Sequence, residues 1–273
     1  MRALATIRTF VMSYMIPGWG FWIVGKPKLA IATTSTIIGI ALLFSWSRLV
    51  LNPIAFILYA AVIVALLLTA AFWSAIIEYR RNRENPPPRN WKSAFVFALV
   101  GGAAFYLLMS ERSTILGYDI FTLPSESMAP TLTKGDYILI DTWHYSDSEI
   151  EVGDLAVFEV PEMDGVNYVK RIVGVPGNEL TFEDDAVIRN GIRLEEPYAF
   201  YSDKSGRPGA SFPSIKVPDG EYFVLGDNRN NSRDSRYLGP IPESAFVGRV
   251  EHIWYSRSDA DGVRWERFPA KPD

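Results

Sequence analysis

Residues 93–141 read SAFVFALVGGAAFYLLMSERSTILGYDIFTLPSESMAPTLTKGDYILID. Two physical regimes meet in this stretch. Up to position 110 the chain is continuously apolar and just long enough for a helix to cross a bilayer. Its Gly101-Gly102 pair lowers helix propensity but is common in membrane spans. From 118 onward the pattern becomes short and alternating, and Lys134-Gly135-Asp136 reads as a turn before a strand. A chain that changes period at this point divides into a helical membrane anchor and a mainly β domain.

Upstream, 29–49 and 53–77 are also long and apolar enough to span, so 93–110 is the third expected transmembrane helix. The charges orient these spans. Lys26 and Lys28 precede the first, Arg48 alone lies between the first and second, and Arg80, Arg81, Arg83, Arg89 and Lys92 lie between the second and third. The positive-inside rule puts 78–92 in the cytoplasm as a loop stiffened by Pro86–Pro88, and sends the third span outward. Residues 1–28 contain an apolar run broken at Pro17-Gly18-Trp19-Gly20, with positive charge at both ends. They read as a re-entrant or interfacial segment. No small-residue cleavage site follows, so a removed leader is not expected. Apart from Arg48 at the edge of the first, the spans carry no charge, so no ion or proton pathway is expected in them.

Downstream, 137–141, 155–160, 168–175, 186–189, 221–225 and 246–255 read as strands. Gly153-Asp154, Pro176-Gly177-Asn178 and Pro218-Asp219-Gly220 punctuate them, and Asn190-Gly191 is a two-residue hairpin signal. The β domain is expected over 118–256. Residues 201–214 read as a surface loop and 257–273 as a polar tail.

Composition excludes several functions. Residues 1–110 hold 10 Lys/Arg against 2 acids, and the remainder holds 17 against 29. The back half is therefore acidic, net −12, and lacks the basic surface that nucleic-acid binding needs. The chain has no cysteine, which removes thiol nucleophiles, disulfides and most structural zinc sites. Its two histidines, His144 and His252, lie in a polar stretch and an expected strand, and both read as surface or packing residues. A Ser-His-Asp site is not expected. No HExxH and no cluster with metal-ligand spacing occurs, so no metal or other cofactor is expected.

Three segments remain that are dense in reactive residue types. They are LPSESMAPTL (123–132), NYVKRIVG (167–174) and GDNRNNSRDSR (226–236). A serine hydroxyl becomes a useful nucleophile when a base takes its proton. A lysine can be that base when neutral, and burial lowers its pKa from about 10.4 by as much as 3–5 units. Strand alternation puts Lys170 on one face with Tyr168 and Ile172, where it could be desolvated. An exposed strand lysine and a polar surface loop at 226–236 are the plain alternatives.

Taken together, the three motifs resemble the type I signal peptidase family, the serine/lysine-dyad leader peptidases of bacteria. The resemblance spans about 118–255, and the chain's first 92 residues lie outside it. It implies a signal-peptidase-like β fold and a serine endopeptidase that removes signal peptides from exported preproteins. By position it implies Ser127 as nucleophile, Lys170 as general base, and Ser125 as an oxyanion-hole hydroxyl beside the Ser127 N–H. Ser232 matches the hydroxyl that orients the lysine. Asp234 and Arg236 match a supporting ion pair, and Gly226 and Asn228 match positions that shape the site. Phe121, Leu123, Met128, Tyr168 and Val169 match substrate-pocket positions, which hold small residues first and third before the cut. The partners implied are secretory preproteins and the lipid bilayer, with neither nucleic acid nor metal. The location implied is the bacterial plasma (inner) membrane, multi-pass, with the catalytic domain on the extracytoplasmic side.

The chain departs from the family in three places. Glu126 stands where a small residue is usual, Asn230 stands where an acid is frequent, and three spans replace the usual one or two. A serine/lysine peptidase dedicated to one partner, and a non-catalytic receptor on a degenerate peptidase fold, remain open as alternatives.

Overall fold

The computed structural model describes residues 2–80, 91–160, 163, 165–183, 186–202, 212–260 and 262–272. Most of the expected 78–92 loop and of the 201–214 loop lies outside the described residues. The chain forms two compact units, Met1–Gly117 and Tyr118–Asp273.

The first unit is helical: α1 (Arg2–Met15), α2 (Trp19–Ile23), α3 (Pro27–Trp46), α4 (Pro53–Tyr79), α5 (Trp91–Ser110) and α6 (Arg112–Ile115). Three segments, Pro27–Trp46, Pro53–Tyr79 and Lys92–Ser110, are long and apolar enough to cross a membrane. Proline opens α3 and α4 at the first turn, where a missing N–H costs nothing. The Asn52 side chain caps α4 by accepting from Ala55 N at 3.0 Å. The segment read as re-entrant or interfacial is two helices joined through Gly18, whose φ of +81° suits glycine. Its second helix is packed on the spans: the Trp22 ring stacks on Phe97 at 4.6 Å and its Nε1 donates to Ser93 Oγ. One expectation needs correcting. Helix α4 runs past 77 to Tyr79 and includes Glu78, which is fully buried, so this helix does carry a buried ionisable side chain.

Among its described residues the second unit holds twelve strands. They are β1 (Tyr118–Thr122), β2 (Asp136–Asp141), β3 (Leu155–Glu159), β4 (Asn167–Gly174), β5 (Glu179–Glu183), β6 (Ala186–Arg189), β7 (Ile192–Arg193), β8 (Ile215–Lys216), β9 (Glu221–Leu225), β10 (Ile241–Pro242), β11 (Phe246–Ser258) and β12 (Gly262–Val263). The larger sheet runs β1-β2-β11-β3-β4-β9-β10 with β12 on β11, and the smaller runs β7-β6-β5-β8. Every pairing between strands is antiparallel. The Asn190-Gly191 signal gives the β6–β7 hairpin, with both residues at positive φ.

The larger sheet buries both faces. Ile138, Ile140, Leu155, Val157 and Val169 pack with Met128 and Leu132 in one cluster. Ala156, Phe158, Ile172 and Val224 form another, and Val173, Phe223 and Leu225 meet Leu180 and Phe182 of the smaller sheet in a third. Burial on both faces explains why β3 and β4 read as continuous apolar runs. Strands β1, β5, β7, β8, β10 and β12 were not expected. Most are very short, and a two-residue pairing has no period to detect. The segment read as a polar tail is tied back into the unit. Arg264 and Arg267 bond the fully buried Asp136 carboxylate, Arg267 at 2.7 Å, and Ala270 bridges to Ile253.

Candidate active site

The site starts from a strand that is only half paired. β4 pairs with β3 over 167–171, while on its other side β9 joins only from Arg171 onward. The stretch 167–170 therefore keeps one free edge. Lys170 stands at the point where that edge closes, opposite Ala156, and is 3% exposed. Its Nζ lies 5.2 Å from the Tyr168 ring centroid, as expected for residues on one face. The amine donates to Val169 O at 2.9 Å and contacts Ser127 Oγ at 2.8 Å. Burial pushes its pKa down to about 8, against the pull of Asp234 and Asp227, with Arg236 lowering it a little further.

Ser127 lies in the connection between β1 and β2. Met128 and Leu132, 2% and 0% exposed, fasten that connection into the core, and Leu132 N donates to Met128 O at 2.9 Å. The segment after β9 holds it from the other side. Asn228 N donates to Ser127 O, and Asn228 Nδ2 donates to Glu126 O, both at 3.1 Å. The Glu126 side chain is exposed, so at this position the site uses only the main chain. A Cβ on Gly226 would collide with Ser232 Oγ and stand 2.5 Å from Ser127 O, so glycine alone fits. Ser125 Oγ lies 3.3 Å from Ser127 Oγ.

Asp234 organises this segment. It accepts from Gly226 N at 2.9 Å, takes Arg236 in a fork at 2.8 Å on each oxygen, and caps α8 (Ser235–Leu238), after α7 (His144–Asp147) the last α-helix. The structure thus brings Ser125, Ser127, Lys170, Gly226, Asn228, Asp234 and Arg236 into one neighbourhood. Ser232 is beside them, but its buried hydroxyl has no hydrogen-bond partner among the described residues. The expected bond to Lys170 is not formed.

A groove of about 430 Å³ opens in front of Ser127. All five expected pocket residues, Phe121, Leu123, Met128, Tyr168 and Val169, line it. Val157, Val166, Asn231 and Arg233 line it as well and were not foreseen.

Sequence reading also missed a second buried ion pair. Arg171 forks onto Asp227 at 2.9 and 2.8 Å, and Asp227 takes Thr131 Oγ1 at 2.6 Å. That carboxylate ties β4 to the nucleophile's connection and to the 226–236 segment. The Arg171 guanidinium covers the Tyr198 ring at 3.8 Å. Arg171 and the Asp and Arg residues of 226–236 were visible in the sequence, but which charges pair was not. Neither histidine lines the groove. Burial holds the His252 pKa below its usual value. His144 approaches Asp141 at 4.0 Å and, with Glu251, forms a group of three possible ligands within 4.8 Å of one another. Residues 107 positions apart (144 and 251) meet there, so sequence spacing could not show the group. Glu251 is already engaged by Arg249 at 2.6 Å.

A buried amine thus contacts a serine hydroxyl beside a groove bordered by β1 and the half-paired stretch of β4. Residues 89–255 match the family model described as signal peptidase, peptidase S26. The chain belongs to this family and is a peptidase. It is 35% identical over 152 residues to signal peptidase IB of Staphylococcus aureus, covering 51% of this chain and 78% of the relative. It is 36% identical over 135 residues to the probable signal peptidase I-1 of a Synechocystis strain, covering 47% and 66%. A crystal structure of a signal peptidase I from Enterococcus faecalis V583 shares 30% identity, covering 37% of this chain and 97% of its own, at a TM-score of 0.33.

Proposed function

We propose that this member of the signal peptidase family is a membrane-bound serine endopeptidase, cleaving signal peptides from exported preproteins with Ser127 and Lys170 as a catalytic dyad. The observation that carries the reading is the buried Lys170 amine, 2.8 Å from Ser127 Oγ with its pKa lowered to about 8. The ammonium donates across this contact. Once deprotonated, its lone pair accepts from the hydroxyl instead, which is the geometry of a general base.

In the proposed reaction Ser127 Oγ attacks the scissile carbonyl as Lys170 takes its proton. The Ser125 hydroxyl and the Ser127 N–H hold the oxyanion, and one such donor contributes about 3–4 kcal/mol in other hydrolases. The Lys170 ammonium then protonates the departing amine. The acyl-enzyme is then opened by a water that gives its proton to the Lys170 amine, and Lys170 passes that proton to Ser127 Oγ as the ester bond breaks. Val169 O, accepting one amine N–H, fixes the direction of the nitrogen. Ser232 is assigned the orienting role because its buried hydroxyl lacks a partner among the described residues, a state a bond to the amine would relieve. The mechanism uses no metal or cofactor.

The substrate is held by strand addition. β1 is the terminal strand of its sheet and 167–170 keeps a free edge, so an extended chain can bond to main chain on either side. The apolar walls from Phe121, Leu123 and Val169 then take small side chains. The three long apolar helices and the basic 78–92 segment support a multi-pass protein with the second unit on the extracytoplasmic side, where lipid is the anchor's partner and nucleic acid is not a ligand.

The test uses the full chain in detergent with a secretory preprotein. The wild type cleaves it, while Ser127→Ala and Lys170→Ala do not. Full cleavage by either variant overturns the dyad.

A further inference from the structure

Four arginines lie in the two motifs that frame the site, and three are committed. Arg171 holds Asp227, Arg229 holds Glu196 at 2.6 Å, and Arg236 holds Asp234. All three are buried. The fourth, Arg233, is exposed and lines the same groove as Ser125, Ser127 and Lys170. Among the described residues it has no hydrogen-bond or ion-pair partner. Glu126, the acid nearest the nucleophile in sequence, makes no bond to it. A guanidinium standing without a partner on a groove wall is a ready donor to a carboxylate, with a planar fork that matches both oxygens.

The groove lining mixes two kinds of side chain: Phe121, Leu123, Val157 and Val169 are apolar, while Ser125, Ser127, Lys170, Asn231 and Arg233 are polar. Small residues before the cut suit the apolar side chains. Lys170 is engaged with Ser127, which leaves Arg233 as the lining cation available to the chain after the cut.

We propose that Arg233 is a specificity-determining residue that selects for an acidic side chain among the first residues after the cut. The proposal rests on the serine–lysine reading of the same site and adds a preference to it. Arg233 acts on substrate choice and takes no part in the proton transfers of the dyad.

The test compares kcat/KM for three preproteins that differ only at the second residue after the cut: Asp, Asn or Lys. The full chain is assayed in detergent at pH 8 and low salt. Exposed ion pairs contribute up to about 1 kcal/mol, so the wild type is expected to prefer Asp over Asn about three- to fivefold. That preference should approach one at 1 M salt, where the screening length is about 3 Å. Arg233→Ala should bring the Asp/Asn ratio to one, and Arg233→Glu should reverse it in favour of Lys. A ratio left unchanged by Arg233→Ala overturns the proposal. So does an equal slowing of all three substrates with the ratio preserved, which marks a structural role. A wild type that cleaves all three alike sinks the preference and leaves the dyad standing. A wild type that cleaves none of them, or a Ser127→Ala variant that cleaves them as well, removes the underlying reading and the proposal with it.

Discussion

At Lys170 three influences compete for one proton. Burial favours the neutral amine, Asp234 and Asp227 favour the ammonium, and Arg236 opposes them; burial is the largest, and the pKa settles at about 8. A general base works in its neutral form, so kcat/KM should fall about tenfold per unit as pH drops below about 8 and level off above it. A profile flat between about pH 5 and 9 would remove Lys170 from that role. Lys170→Arg keeps the charge but cannot deprotonate, and should lose at least the 10²–10⁴-fold typical of general-base catalysis. Asp227→Asn has two separable effects. It takes the carboxylate charge away from the buried Arg171, costing up to about 3–5 kcal/mol, measurable as a lower denaturation midpoint. It also removes a charge that stabilises the ammonium, so the pH midpoint of any residual activity should move downward. An upward move would mean that Asp227 does not act on the amine through its charge. The proposed nucleophile and base were legible at this scale because each sits in a motif with its neighbours. The Arg171–Asp227 pair was not, since four arginines and two aspartates allow many pairings and only geometry selects one.

At the scale of elements, the site depends on edges. β1 has one neighbour, and β4 leaves 167–170 unpaired on one side. In the proposed strand addition, an extended substrate between them would exchange main-chain hydrogen bonds worth about 1 kcal/mol each. Replacing one substrate amide by an ester, at the residue third before the cut, removes a donor without changing the side chain. KM should rise about fivefold with kcat nearly unchanged, by the same 1 kcal/mol. An unchanged KM would show that strand addition is not how this site holds its substrate. The strands β2, β3, β4, β6, β9 and β11 were readable from alternation, apolar runs and turn residues. Whether an edge is free was not, because strand order places residues distant in sequence side by side. β11, late in the chain, lies between β2 and β3.

At the scale of the whole molecule, the division of charge carries the proposed orientation. The first 110 residues carry +8 and the rest −12, and the dense positive loop precedes the third span. The absence of native cysteine makes the topology directly measurable. In intact cells a membrane-impermeant thiol reagent should label Thr181→Cys and leave Arg83→Cys unlabelled until the cells are broken. Labelling of both, or the reverse pattern, would overturn the three-span orientation. The order and chemical type of the segments were determined by sequence alone: apolar length marks the helices, alternation and turns mark the strands, and three motifs mark the site. Those signals are local, and a residue's chemistry does not depend on where the chain later goes. Tertiary structure decided what depends on distance: the burial that lowers the Lys170 pKa, the partner of each arginine, the buried Glu78 and the orphan hydroxyl of Ser232. It also left Arg233 free beside the groove. Desolvation and ion pairing act over a few ångströms in space, and residues 43 or 56 positions apart reach that range only after folding.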